Sequence, residues 1–279
     1  MDAQVEVTKV EGAKNKEKWR GRFSWPPVAI VVVVHILALC ALPFFSWRNV
    51  GAFLISHFLV GCLGTVIGLH RYFSHRSFYC PAWFEILLGF LGTLSFQQGP
   101  ITWAMYHRAH HRFTENEGDP HSASRGFMWS HMLWLFYIAP NGFRKNSVSV
   151  KDLMRSKWLV FFDRHHLLVN IVTPIIFYLA TRDLGMTLWV FPLRTVVFWH
   201  STWAVNSYVH RATWREGPSG IIRNSLLMTL LVYGDGWHFN HHQYPALARA
   251  GLLPFQIDPA YWLLLSLKYM KIIRFSRNL

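Results

Sequence analysis

"VGAFLISHFLVGCLGTVIGL", residues 50 to 69, runs without Asp, Glu, Lys or Arg and delivers the chain to His70. About 20 apolar residues is the length that crosses a bilayer core as a helix. A second such run, "PVAIVVVVHILALCALPFFS", occupies 27 to 46. Two later stretches, about 167 to 182 and 187 to 209, read as further spans, although the first is short and the second contains Arg194. Residues 83 to 101 begin near Glu85 and end in glutamines and a proline, the pattern of an interfacial or half-buried helix. The expectation is an all-α integral membrane protein with four transmembrane helices, at about 27–46, 50–70, 167–182 and 187–209.

Composition agrees with lipid as the solvent, since 52% of the 279 residues are hydrophobic and only 15% are charged. The first run begins too far into the chain, is too long, and leads too directly into a second to be a cleaved signal peptide. Residues 1 to 24 read as a polar, basic tail and 25 to 279 as one domain. Basic residues gather before the first span, between 71 and 165, and at Lys268, Lys271 and Arg274. The positive-inside rule therefore puts both termini and the long middle segment in the cytoplasm. A net charge of +14 spread over membrane flanks, without any nucleic-acid-binding motif, points to anionic lipid headgroups rather than nucleic acid. Cys40, Cys62 and Cys80 are isolated, so no disulfide framework is implied.

Sixteen histidines are unusual, and their placement says more than their number. Three tight groups stand out: "HRYFSH" with His70 and His75, "HRAHH" with His107, His110 and His111, and "HFNHH" with His238, His241 and His242. At i, i+3 and i+4 of a helix, three side chains share one face. The adjacent pair straddles the first histidine, which suits two ions side by side. The i, i+5 spacing of His70 and His75 would split them across a regular helix, so the helix should end or loosen there. With an even number of spans between the first and last groups, all three converge on one membrane face. Asn206 and His210, four apart at the end of the fourth span, fall at the same surface.

Imidazoles in this number can coordinate two ions, and neutral imidazole suits Fe, Zn, Cu or Ni. No HExxH is present, which disfavours a zinc protease. Neutral ligands leave the ions' charge uncompensated, so carboxylates should stand behind the imidazoles, with Glu115, Glu117, Asp119 and Asp235 as candidates. His35 and His57 sit alone within spans and are expected to be hydrogen-bonded internally. A histidine-lined metal transporter would distribute its histidines across membrane depth, whereas these lie at span ends and outside the spans.

The strings "GLHRYFSHRSF", "GTLSFQQGPITWAMYHRAHHRFTENEGDPHSASRGFMWSHMLW", "WHSTWAVNSYVH" and "YGDGWHFNHHQYP" together resemble the membrane fatty acyl desaturases of the Δ9 type, a family spanning stearoyl-CoA desaturases and the acyl-lipid desaturases of cyanobacteria and plants. The resemblance implies four spans and a cytoplasmic helical cap holding a di-iron site. It places His70, His75, His107, His111 and His241 on one iron. It places His110, His210, His238 and His242 on the other, with Asn206 joining through a water. It also implies O2 as co-substrate, a cis double bond formed in a saturated C16–C18 acyl chain, and a separate electron donor of ferredoxin or cytochrome b5 type. A related membrane di-iron hydroxylase is the alternative activity.

Trp103 and Trp237 are expected to line the acyl tunnel. The chain departs from the family pattern at Asp235 and Phe239, where "GDGWHFNHH" replaces the usual GEGWHNNHH. Met105 and Tyr106 stand where animal acyl-CoA enzymes carry a charged pair, which favours an acyl-lipid substrate. His121 and His131 fall in family motifs without being ligands and are expected to stand behind the ligands or to fix loops, and His165, His166 and His200 are left without a role.

Overall fold

The computed structural model describes residues 21–139, 148–210 and 222–277, and the described chain is almost entirely helical. Two antiparallel two-residue ribbons are the exceptions: Arg22–Phe23 pairs with Tyr137–Ile138, and Phe78–Tyr79 with Arg274–Phe275. The basic tail expected over 1–24 lies outside the described residues as far as residue 20.

Helix α1, Trp25–Leu39, starts with prolines at its first positions, where the missing N–H costs nothing, and continues through a turn at Leu42–Phe44. Helix α2, Trp47–His57, is capped by Ser46 and runs on without a break as a wider π-wound helix, Phe58–Ser74. These two units, Trp25–Phe44 and Trp47–Ser74, are long and apolar enough to cross a membrane. Lys157–Arg164 and His166–Thr181 meet that standard only as a pair, bent by 82° at His165. A continuous helical run from Leu184 to Val209 covers the fourth expected span, though it is not among the stretches apolar enough to cross by length and composition.

The exposed faces say what the solvent is. On His166–Thr181 no residue is buried, yet Leu168, Ile171, Ile175 and Ile176 all project outward. In water such an unpartnered apolar surface would drive association, so this helix belongs in lipid. Helix α3, Ala82–Thr93, buries Phe84, Leu88 and Leu91 against the π-wound stretch. It is half-buried, as expected, but stops at Thr93. A loop then leads into α4, Pro100–Phe113.

Close packing between α3 and the π-wound stretch depends on glycines. A Cβ at Gly64 would stand 2.5 Å from the backbone carbon of Leu91, and one at Gly92 would stand 2.7 Å from Leu69 Cδ2. Small residues let two membrane helices approach to backbone contact. That contact fixes the π-wound stretch against α3.

Candidate metal centre

Each histidine group is presented by a different piece of helix. The π-wound stretch ends at Ser74, and the His75 N–H reaches back five residues to the His70 carbonyl at 3.3 Å. In this winding, residues five apart close one ring. His70 and His75 thus come together with ring centroids 5.0 Å apart instead of splitting. The expected loosening between them takes the form of a π-helix that ends at Ser74. Helix α4 supplies His107, His110 and His111 from its last turns, and His238–Gln243 supplies His238, His241 and His242. The π-wound turn Val205–Val209 leads into His210.

Their nitrogen atoms gather into two sets that could each hold an ion: His70, His75, His107, His111 and His241, and separately His110, His210, His238 and His242. Adjacent His110 and His111 fall into different sets, as the straddling of the HxxHH pattern predicts. A third grouping joins His110 with Asp119 and His121.

Hydrogen bonding fixes which nitrogen faces inward. His70 Nδ1 donates to Asp235 Oδ2 at 2.6 Å, His110 Nδ1 to Asp119 Oδ2 at 2.9 Å, and His210 Nδ1 to Glu115 Oε1 at 3.0 Å. With Nδ1 engaged, each of these rings turns Nε2 towards its set, the nitrogen on which a neutral imidazole carries its lone pair. Three of the four expected carboxylates therefore stand behind imidazoles, while Glu117 is exposed at the turn.

The inward nitrogens crowd one another. His70 Nε2 lies 2.9 Å from His241 Nε2, which lies 3.0 Å from His111 Nε2, and His75 Nε2 lies 2.8 Å from His107 Nε2. In the second set His242 Nε2 is 3.1 Å from His238 Nε2 and 3.4 Å from His110 Nε2. A neutral ring has one N–H, so hydrogen bonds cannot satisfy every such approach, and His210 Nε2 is buried without any partner. Two nitrogens each about 2.1 Å from one ion and at right angles to it lie about 3 Å apart. The donor set therefore fits cations.

Burial, reinforced by neighbouring histidines, pushes His75, His107, His111, His210, His241 and His242 well below the ordinary imidazole value. These rings are neutral at pH 7, the form that ligation requires. Burial also acts to lower His110, but the Asp119 carboxylate outweighs it and holds that ring above its ordinary value.

A cavity of about 690 Å³ opens beside the histidines, within the size range of small-ligand pockets. Trp103 lines it and stacks on His107 at 5.0 Å. His107, His121, Tyr106, Trp134 and Asn206 are also on its wall, and α1 closes the far side through Ile30 and Val31. Trp237 stands elsewhere: it is buried just before His238–Gln243, and its indole N–H donates to the Ile257 carbonyl at 2.6 Å.

Trp134, Trp199 and Trp203 on the cavity wall were not anticipated; Trp134 stands alone, whereas Trp199 and Trp203, four apart on one helix, carried a same-face spacing that could have found them. His121, expected to stand behind a ligand or to fix the loop, lies beside His110 with ring centroids 4.4 Å apart. Its backbone N–H also bonds the Asp119 carboxylate two residues before it.

His35 and His57 are hydrogen-bonded internally, to Val31 O and Tyr233 Oη. His200 is no longer without a setting, since its ring bridges His35 and His131 at 3.0 Å on either side.

Fold and site together define a membrane protein able to hold two metal ions beside a largely apolar cavity. The model of the fatty acid desaturase family matches residues 45–256, and the chain belongs to that family. It is 40% identical to a sn-2 palmitoyl-lipid 9-desaturase of Nostoc sp. over 85% of both chains. It is 32% identical to a sn-1 stearoyl-lipid 9-desaturase of Synechocystis sp. over 92% of this chain and 80% of that one. Delta-9 acyl-lipid desaturase 1 of Arabidopsis thaliana is 33% identical over 94% and 86%. The chain is thus an oxidoreductase, a fatty acyl desaturase.

Proposed function

We propose that this desaturase introduces a cis double bond at the Δ9 position of a saturated C16–C18 chain carried on a membrane lipid. The observation that carries the reading is the pair of converging histidine sets, backed by carboxylates and opening onto an apolar cavity. The relatives, named as 9-desaturases of acyl lipids, support the position of the bond and the acyl-lipid carrier. Met105 and Tyr106 add weight, because α4 offers no charged pair there to bind the headgroup of an acyl-CoA.

Overall, a –CH2–CH2– unit, O2, two electrons and two protons give –CH=CH– and two waters. The electrons come from a separate donor of ferredoxin or cytochrome b5 type. Two irons, one in each histidine set and one of them reached by Asn206 through a water, would supply the O2 activation that unactivated C–H bonds require.

The protein's own part is placement. Methylene groups along an acyl chain are chemically alike, so geometry must choose the carbon. Trp103, flat against His107, sets how closely the chain approaches that histidine set. Asp235, Asp119 and Glu115 hold the His70, His110 and His210 rings in the required tautomer. In the membrane we place four spans, with both termini and the histidine sets on the cytoplasmic face, following the distribution of basic residues.

Expression in a host lacking monounsaturated lipids, with chromatography of the fatty acid esters and localisation of the double bond, tests this reading. A Δ9 alkene from the wild type, abolished in a membrane-inserted His111→Ala variant, is expected. A hydroxylated product, or an alkene unchanged in the variant, contradicts it.

A further inference from the structure

Behind His70 lies a buried ionic chain that reaches beyond the matched family region. The His70 partner Asp235 is shared: its Oδ1 also receives Arg71 Nη2 at 3.3 Å. The same Nη2 donates to Asp258 Oδ1 at 2.9 Å, and Arg71 Nη1 donates to the Ala248 carbonyl at 2.7 Å. Asp258 caps the final helix, Pro259–Tyr269, through the Tyr261 N–H, and its Oδ2 accepts from the Ala250 and Gly251 N–H groups. Gly234, at φ +116°, makes room, since a Cβ there would stand 2.2 Å from Asp258 Oδ1. Arg71 and Asp258 are each almost completely buried.

Water cannot screen charges in such a place, so their sum matters. Two carboxylates and one guanidinium leave a single net negative charge beside the five-histidine set, whose own ligands are all neutral. Without Asp258, Arg71 would neutralise Asp235, and His70 would lose the charge that polarises its ring. We infer that Asp258 is a positioning residue for His70, acting through Arg71 and Asp235 to keep one net negative charge behind the five-histidine ion.

The inference rests on the two-metal reading above. It predicts that affinity for that ion follows the summed charge of the trio rather than the number of hydrogen bonds left in it.

The test uses the full chain, purified in detergent, stripped with a chelator and titrated with Co2+, followed by visible absorption and by metal content per chain. Asp258→Asn, which keeps a helix-capping side chain, is expected to weaken one of two bound ions on the order of tenfold and leave the other unchanged. The double variant Arg71→Met with Asp258→Asn restores the single negative charge, and is expected to recover wild-type affinity although it loses more hydrogen bonds. Asp258→Glu is expected to titrate as wild type.

An Asp258→Asn titration like the wild type, or a double variant weaker than the single one, overturns the inference while leaving the two-metal reading intact. If Asp258→Asn does not fold, one-ion loss in either Asp258→Glu or the double variant overturns it equally. A wild-type chain that takes up no cobalt overturns the two-metal reading, and this inference with it.

Discussion

His166–Thr181 and the π-wound Phe58–Ser74 have nearly the same hydropathic appearance in sequence and opposite roles in the molecule. The first buries none of its residues fully, and turns Leu168, Ile171, Ile175 and Ile176 outward while Val169, Asn170, Thr173 and Phe177 form a half-buried face. The second buries Val60 to Ser74 almost without interruption, brings glycines to backbone contact with α3, and ends in the histidine set. Lipid is indifferent to which apolar side chain it meets, whereas a packed helix is not. Composition alone therefore marks both as spans, and only the glycines and the terminal histidines tell the anchor from the scaffold.

Acid should separate the anchor most sharply from the histidine cluster that the scaffold helps to build. In the metal-free chain burial, and then His110, push the His238 and His121 imidazoles down to about 3. Their folded values lie below the unfolded value of about 6.5. The unfolded chain therefore takes up more protons as pH falls, and stability is complete above about 6.5 and lost downward from there towards 3. At pH 5 each such ring costs about 2 kcal/mol. Thermal unfolding of the metal-free protein should drop steeply between pH 6.5 and 5, and a flat profile would contradict neutral burial. Residues 167–181 contain no group that titrates in that window and contribute nothing to the loss.

Gly64→Ala is next in size. Its methyl would meet the backbone of Leu91 rather than a side chain that could turn aside, at a cost of about 1–3 kcal/mol. The expected outcome is a lower unfolding temperature in detergent together with weaker metal retention, because the same contact holds the π-wound stretch that carries His70 against α3. Ile176→Ala, at a position 60% exposed on the anchor helix, should stay within about 0.5 kcal/mol of wild type. Equal losses from the two substitutions would erase the distinction between scaffold and anchor.

Sequence carried the two longest membrane-capable helices and the convergence of the histidines, because both are periodic or compositional signals. It did not carry the winding. HxxxxH looks wrong for a helix until the helix is a π-helix, and nothing in "GLHRYFSH" announces that the ring will close at five residues. The stretch at 167–182 looks like an independent span, yet its helix qualifies by length only with Lys157–Arg164, at an 82° bend. Carboxylates behind the histidines could be anticipated from charge compensation. Pairings such as Asp235 with His70, 165 residues apart, required the fold, as did the reach of Arg71 to Asp258. Trp237 shows the opposite error, since adjacency to His238 suggested a tunnel wall but its indole points to Ile257.

Metal stoichiometry tests the central claim most directly. Purified after expression with iron, the wild-type chain should hold two irons, His70→Ala and His238→Ala should each lose one, and the double variant should lose both. A wild type that holds one ion or none, or single variants that retain both, would contradict two separate histidine-held metals.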